Sequence, residues 1–304
     1  MSEYNKTLPK GLTSSLKSFS SRHVGLRDHE RDEILKELGY SSLEAFISKV
    51  VPKDLLNLCP LDIEEGVSEE KALQELKLIA SNNSLHHSFI GQGYYNTYTP
   101  SVILRNVFEN PGWYTSYTPY QPEISQGRLE ALINFQTMVS DLTGLDVSNA
   151  SLLDESTAAA EAMTLARRVS KSKSNNFFVD ELCFPQTIKV IQTRARPLDI
   201  NIIIGPSNSC REEEYFGAIF QYPNSEGEIY SFSEEISYSK KKNAVVILAT
   251  DLLALCLLKS PGELGSDIAV GSSQRFGVPL GFGGPHAAFM SVKTEFKRFL
   301  PGRL

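Results

Sequence analysis

Residues 244–251 read AVVILATD. A short apolar run, rich in β-branched residues and closed by a carboxylate, reads as a strand buried on both faces with a polar group at its carboxyl end. Comparable runs lie on either side of this strand (Ala244–Ala249), at Asn176–Asp180, Asp199–Ile204, Ala218–Tyr222 and Asp267–Val270. Helical segments at Pro185–Arg194 and Leu252–Leu258 separate some of them. This alternation predicts an α/β fold, a mostly parallel sheet with helices on both faces. Ligands of such sheets sit at the carboxyl ends of the strands. Attention therefore falls on Asp251 and on GSSQRFGVPLGFGGPH (271–286), which follows the last of these strands.

The chemistry at those two places stays open at this level. Asp251 suits a helix N-cap first, and otherwise a protonated ring nitrogen or a metal. Gly281, Gly283 and Gly284 suit either close backbone approach to a ligand or a tight strand connection. His286 opens an apolar strand and reads as a ligand or as a satisfied structural histidine. Upstream, NASLLDESTAAAEAMTLARR (149–168) sets Ser156 and Thr157 at the start of an alanine-rich helix. Free amides there suit an anion such as phosphate. The neighbouring Asp154 and Glu155 repel one, which favours a plain capped helix packed closely through its alanines.

Further upstream, FIGQGYYNTYTPSVILRNVFENPGWYTSYTPYQPEISQGR (89–128) holds six of the chain's 12 tyrosines and its only tryptophan. Glycines and prolines interrupt it too often for one long helix or strand. Hydroxyl-tipped rings on irregular backbone suit the wall of a binding site. The same rings also suit pinning of a large loop to a core. After it, Leu129, Leu132, Phe135, Met138, Val139 and Leu142 recur at helical spacing up to Gly144. Before it, three short helices are expected. The first is capped by Asp28 and runs to Lys36, with Ile34, Leu35 and Leu38 on one face. The second carries Leu43, Phe46, Ile47 and Val50. The third starts at Ser68 with Leu73, Leu76 and Ile79 inward. Residues 1–88 thus read as a tail plus a helical arm, and 89–304 as the large domain.

The chain has 304 residues, 41% hydrophobic and 22% charged, with a formal charge of −6. That balance disfavours nucleic acid and anionic membrane surfaces as partners. No apolar run approaches the ~20 residues that span a bilayer. The start, MSEYNKTLPKGLTSSLKSFSSRH (1–23), has no apolar core of a secretory signal. Cys59, Cys183, Cys210 and Cys256 form no C-x-x-C pair, so neither a zinc site nor a disulfide framework is expected. Cys183 and Cys256 are expected to pack among apolar neighbours. Reduced thiols in a cytoplasmic setting are the default, with a mitochondrial location the alternative. Neither a phosphate-binding P-loop, a G-x-S-x-G elbow nor a G-x-G-x-x-G turn is present.

Residues 93–162, from GYYNTYTPSV to STAAAEA, resemble the N-terminal half of the glycine cleavage system P-protein family, the decarboxylating glycine dehydrogenases. SSRHVG (20–25) and GSSQRFGVPLGFGGPHAAFM (271–290) are similar to the same family in the same order, so the resemblance extends from Ser20 to Arg303. It implies a fold-type I pyridoxal 5'-phosphate (PLP) transferase-like fold made of two homologous halves. In such a pair the C-terminal half carries the Schiff-base lysine and binds the cofactor. The first half supplies part of the active-site wall and of the channel for a lipoylated carrier. The implied reaction decarboxylates glycine and passes the aminomethyl group to the lipoyl arm of H-protein.

Laid on the lysine-bearing half's motif, the lysine position is Gln274, and an amide forms no Schiff base. Asp251 is the pseudo-equivalent of the aspartate at the ring nitrogen. Lys259, the nearest lysine after Asp251, reads as a helix-end charge rather than a substitute. No residue of this chain is then expected to be catalytic by itself. The resemblance makes Tyr94, Tyr95, Tyr117, Tyr120, Glu123 and Gln126 the wall or interface residues of a site shared with a lysine-bearing half. It also implies that the small domain of this half stops early. The alternative is a non-catalytic assembly or regulatory protein that binds the partner half or H-protein. A third expectation is a broken gene product without a stable fold.

Overall fold

The computed structural model describes residues 23–56, 62–64, 66–114, 118–281 and 283–302. Contacts divide the chain into Met1–His87 and Ser88–Leu304.

In the first unit, helices span Asp28–Glu37, Leu43–Val50 and Glu69–Ser81. The hydroxyls of Ser42 and Ser68 accept the amides of Ala45 and Lys71, so side-chain capping starts the second and third helices. The first starts differently from expectation. Asp28 lies inside it, and Glu30 reaches back to accept the Arg27 amide at 2.6 Å. The expected inward stripe of the third helix is a correction too. Leu73, Leu76 and Ile79 are 58%, 61% and 65% exposed, because no described residue covers that face.

In the second unit the strands are β1 (Val147–Ser148), β2 (Asn176–Asp180), β3 (Asn201–Gly205), β4 (Gly217–Tyr222), β5 (Val245–Thr250), β6 (Ile268–Ser272) and β7 (Ala288–Val292). They form one sheet in the order β1-β7-β6-β5-β4-β2-β3. β3, β2, β4, β5 and β6 run parallel, while β7 is antiparallel to β6 and to β1. The period-two alternation of each strand sends side chains to two separate cores. On one face Phe177, Ile219, Ile247 and Val270 meet the helices Glu155–Val169 and Pro185–Ala195. On the other, Phe178, Phe220, Leu248 and Ala269 meet Val139 and Ile236 of the helices Gln126–Thr143 and Ser233–Lys241.

Close approach of helix Glu155–Val169 comes from its alanines: Ala158, Ala159, Ala160, Ala162 and Ala166 are all buried. Helix Gln126–Thr143 ends on Gly144 in the left-handed region, φ 65°. Val139 is its buried apolar anchor, whereas Met138 is exposed. Two expected elements shift for backbone reasons. Asp199 has φ 53°, which no strand residue adopts, so β3 begins only at Asn201. The segment 252–258 makes one 3-10 turn, Ala254–Cys256, and Leu257 then leaves helical backbone. Cys256 is exposed on that turn instead of packed, while Cys183 is buried as expected. Cys59 lies outside the described residues. No described helix is long and apolar enough to cross a membrane.

Candidate functional site

β4, β5 and β6 end side by side, and their last residues floor an open cleft with about 400 Å³ of empty space, part of it open to solvent. Gln221, Thr250, Asp251, Ser272 and Gln274 line it from the sheet, Glu155 from the helix start and Tyr95 from above. A second lobe shares Gly93, Glu155, Ser272 and Gln274 and adds Tyr94, Asp154 and His286. The approach of β6 to β5 here is very close. A Cβ on Gly271 would lie 2.1 Å from the Thr250 carbonyl oxygen, so only glycine fits.

The strand-end carboxylate Asp251 is paired. Arg275 donates from Nε to Oδ1 at 3.1 Å and from Nη2 to Oδ2 at 3.0 Å, a bidentate fork between two side chains each 20% exposed. The Tyr95 ring covers the guanidinium, 4.0 Å from ring centroid to the central carbon. Burial raises the Tyr95 hydroxyl above its ordinary pKa, and the charges of Asp251 and Glu155 add to the effect. Burial likewise pushes the Glu155 carboxyl up to about 7, reinforced by Asp251 and Asp154 and opposed by a hydrogen bond from Gln221 Nε2 at 3.2 Å. Gln274 is buried and donates from Nε2 to the Pro285 carbonyl at 3.1 Å. Asp154 accepts the Thr157 amide at 2.7 Å, so the helix is capped by its own side chain. Gln221 Oε1 and Thr250 Oγ1 are buried without a hydrogen-bond partner among the described residues. No group of three His, Cys, Asp or Glu side chains that could hold a metal occurs among them either.

The aromatic stretch enters the site through residues 92–99. Gln186 Nε2 donates to the Gln92 carbonyl at 2.8 Å, and Thr97 Oγ1 to the Val278 carbonyl at 2.9 Å. Thr99 Oγ1 donates to the Gly277 carbonyl. Gly93 (φ 87°) passes under Phe184, whose ring a Cβ would approach to 3.1 Å.

A family model described as "Glycine cleavage system P-protein" matches residues 21–304. The chain belongs to the glycine cleavage system P-protein family. Glycine dehydrogenase (decarboxylating) of Pelagibacter ubique (strain HTCC1062) is 56% identical over 293 residues, 96% of this chain and 31% of that protein. The enzyme of the same name from Allorhizobium ampelinum (strain ATCC BAA-846 / DSM 112012 / S4) is 58% identical over 93% of this chain and 30% of its own length. The chain thus spans about a third of the length of the curated relatives it matches. A crystal structure of glycine decarboxylase (P-protein) of the glycine cleavage system, in inhibitor-bound form, superposes with a TM-score of 0.83 at 33% identity, over 93% of this chain and 65% of that one. Sphingosine-1-phosphate lyase Bpss2021 of Burkholderia pseudomallei K96243 shares the fold alone, with a TM-score of 0.57 at 11% identity over 84% of this chain and 64% of that one. The P-protein fold seen here is that of the fold-type I PLP enzymes.

This P-protein chain does not fit that cofactor in its own cleft. Among the described residues no lysine lines it, and Gln274 sits where the resemblance puts the lysine. Arg275 occupies the carboxylate that would face a ring nitrogen. Asp154 and Glu155 stand at the helix start where a phosphate would lie. Lys259 is exposed and outside the cleft.

Of the expected wall residues, the structure brings Tyr95 into the cleft and Tyr94 to the rim of its second lobe. Tyr120, Glu123 and Gln126 are exposed and line neither lobe. Tyr117 lies outside the described residues. Of the roles weighed for Asp251 the structure shows a cap, here of a turn, through the Leu253 amide at 3.2 Å, and Arg275 is a partner that the sequence reading did not weigh. His286 precedes β7, half-buried, in the second lobe. Arg275, Gln221 and Thr250 were not singled out by sequence reading. Gln221 had a signal, as the one amide in the apolar run AIFQY beside the strand that ends at Asp251.

Proposed function

We propose that this chain forms one side of a glycine-decarboxylating active site whose lysine and cofactor belong to a lysine-bearing C-terminal portion. One observation carries the reading: in a cleft of fold-type I geometry, the lysine position is a hydrogen-bonded amide and the strand-end aspartate is closed by Arg275. The relatives, about three times as long, have room for a lysine-bearing half. The surface of the aromatic stretch supports a partner. Phe89, Tyr98, Tyr120 and Ile124 are each 79% or more exposed, more apolar area than a free surface usually keeps.

In this proposal PLP on the lysine-bearing portion supplies the electron sink for loss of CO2 from glycine. The residues of this chain exclude water from the shared site and offer hydroxyl and ring contacts from Tyr94 and its exposed neighbours. The aminomethyl group then passes to the lipoyl arm of H-protein, which docks where the two portions meet. The test is exchange of labelled CO2 into glycine by the chain alone, by a lysine-bearing C-terminal portion alone, and by the two together with lipoylated H-protein. Exchange is expected only in the mixture. An unchanged rate when this chain is added to an already active C-terminal portion points instead to an assembly role without catalysis.

A further inference from the structure

From Tyr94 to Pro100 the chain belongs to no helix or strand, and its exposure alternates. Tyr95, Thr97 and Thr99 are half-buried, while Tyr94, Asn96, Tyr98 and Pro100 are exposed. Each inward side chain is engaged by the loop after β6: Tyr95 on Arg275, Thr97 on Val278 and Thr99 on Gly277. The loop serves as a rail for the segment. Gly277 allows the contact, since a Cβ there would lie 2.9 Å from the Tyr98 carbonyl oxygen and its φ is 110°. Behind the rail, Phe276 meets Phe135 of helix Gln126–Thr143 edge-on, 6.2 Å between centroids.

We infer that Arg275 is a positioning residue for the tyrosine wall: held edge-on by Asp251 and covered by Tyr95, it fixes the segment Tyr94–Thr99 so that Tyr94 and Tyr98 point outward from it. The two threonine contacts are single neutral hydrogen bonds to carbonyls. The Arg275 contact combines a bidentate ion pair with a stacked ring in a half-buried place, which makes it the strongest of the three. Only a planar guanidinium offers an edge to the carboxylate and a face to the ring together. Lysine keeps the charge and loses the plane. Asp251 sets the plane of Arg275, so the end of β5 is coupled through one cation to the aromatic segment. The role of this segment in catalysis rests on the shared site proposed above; the positioning itself does not.

The test uses the full chain with 3-fluorotyrosine at position 95, as wild type, Arg275→Lys and Arg275→Gln, each checked for cooperative unfolding. Both variants are expected to move the fluorine resonance toward that of free tyrosine. Both should also raise the rate of chymotrypsin cleavage after Tyr94 and Tyr98 by about tenfold, as expected for loss of a partly buried cation–π and ion-pair anchor. Should Arg275→Gln fail to fold, Arg275→Lys carries the comparison. An unchanged resonance with unchanged cleavage in the folded variants overturns the inference. In the assembled enzyme, Arg275→Lys is expected to lower glycine–CO2 exchange, and Tyr95→Ala with Arg275→Lys to lose no more than Tyr95→Ala alone. Additive losses overturn the coupling. A wild-type mixture without exchange removes the shared-site reading, while the resonance and the cleavage rate still decide the positioning.

Discussion

Single residues set the electrostatic character of the cleft. Glu155 is the clearest titrating group, with its proton held up to about 7 by burial. The unfolded chain releases that proton near the usual carboxylate pKa of ~4.3. A raised folded pKa contributes stability that is full below the unfolded value and is lost as pH rises toward the folded one. Glu155→Gln keeps an acceptor for Gln221 and removes the titration. Its stability relative to wild type, from urea unfolding, should therefore grow by roughly 2 kcal/mol between about pH 5 and about pH 8. A constant difference across that range would mean Glu155 stays ionised in the folded chain. The acidic residues at this helix start were legible in DESTAAAEA as a place hostile to phosphate. Their effect on one another was not, because it depends on Asp251, which lies 96 positions away in sequence. The Asp251–Arg275 pair was hidden for the same reason. It joins a strand end to the loop after the next strand, and no short spacing rule spans a β-α-β unit.

Elements were easier to read than their ends. Apolar, β-branched runs marked five parallel strands because strands buried on both faces need near-continuous hydrophobicity. Direction was not marked: the pattern of β7 is equally compatible with either sense, and the structure pairs it antiparallel to β6. A boundary slipped where one residue turns left-handed, at Asp199 (φ 53°), since periodicity does not report single dihedral angles. The helices of the first unit show the opposite failure. Their periodicity was correct, but the stripe of Leu73, Leu76 and Ile79 faces outward because amphipathicity does not say what covers it. The tightest constraint at this scale is the β5–β6 contact at Gly271. Gly271→Ala would press a methyl group against the Thr250 carbonyl of parallel β5 and the Phe289 ring of antiparallel β7, at 2.1 and 2.8 Å. The expected cost is about 3 kcal/mol, read as a lower urea midpoint or as loss of soluble protein. A midpoint equal to wild type would show that β6 yields without cost.

At the scale of the whole molecule, the family and fold rest on matches that cover nearly the entire chain, while the relatives are about three times its length. The two-core sheet and the paired, hydrogen-bonded cleft describe a folded unit, and the aromatic segment beside that cleft is exposed. In the proposed reading this portion forms a wall of the site and the cofactor is attached through a lysine-bearing portion. Arg275 closes the cleft of this portion and positions the wall. The most direct measurement is the visible absorption of PLP titrated with this chain alone, with a lysine-bearing C-terminal portion alone, and with both, followed by addition of glycine. The account predicts no lysine-bound cofactor band from this chain alone at any ratio. In the mixture, a band carried by the C-terminal portion should change with glycine only when this chain is present. A lysine-bound band from this chain by itself, lost on borohydride-free dialysis no more readily than that of the partner, would contradict the claim that its own cleft is closed to the cofactor.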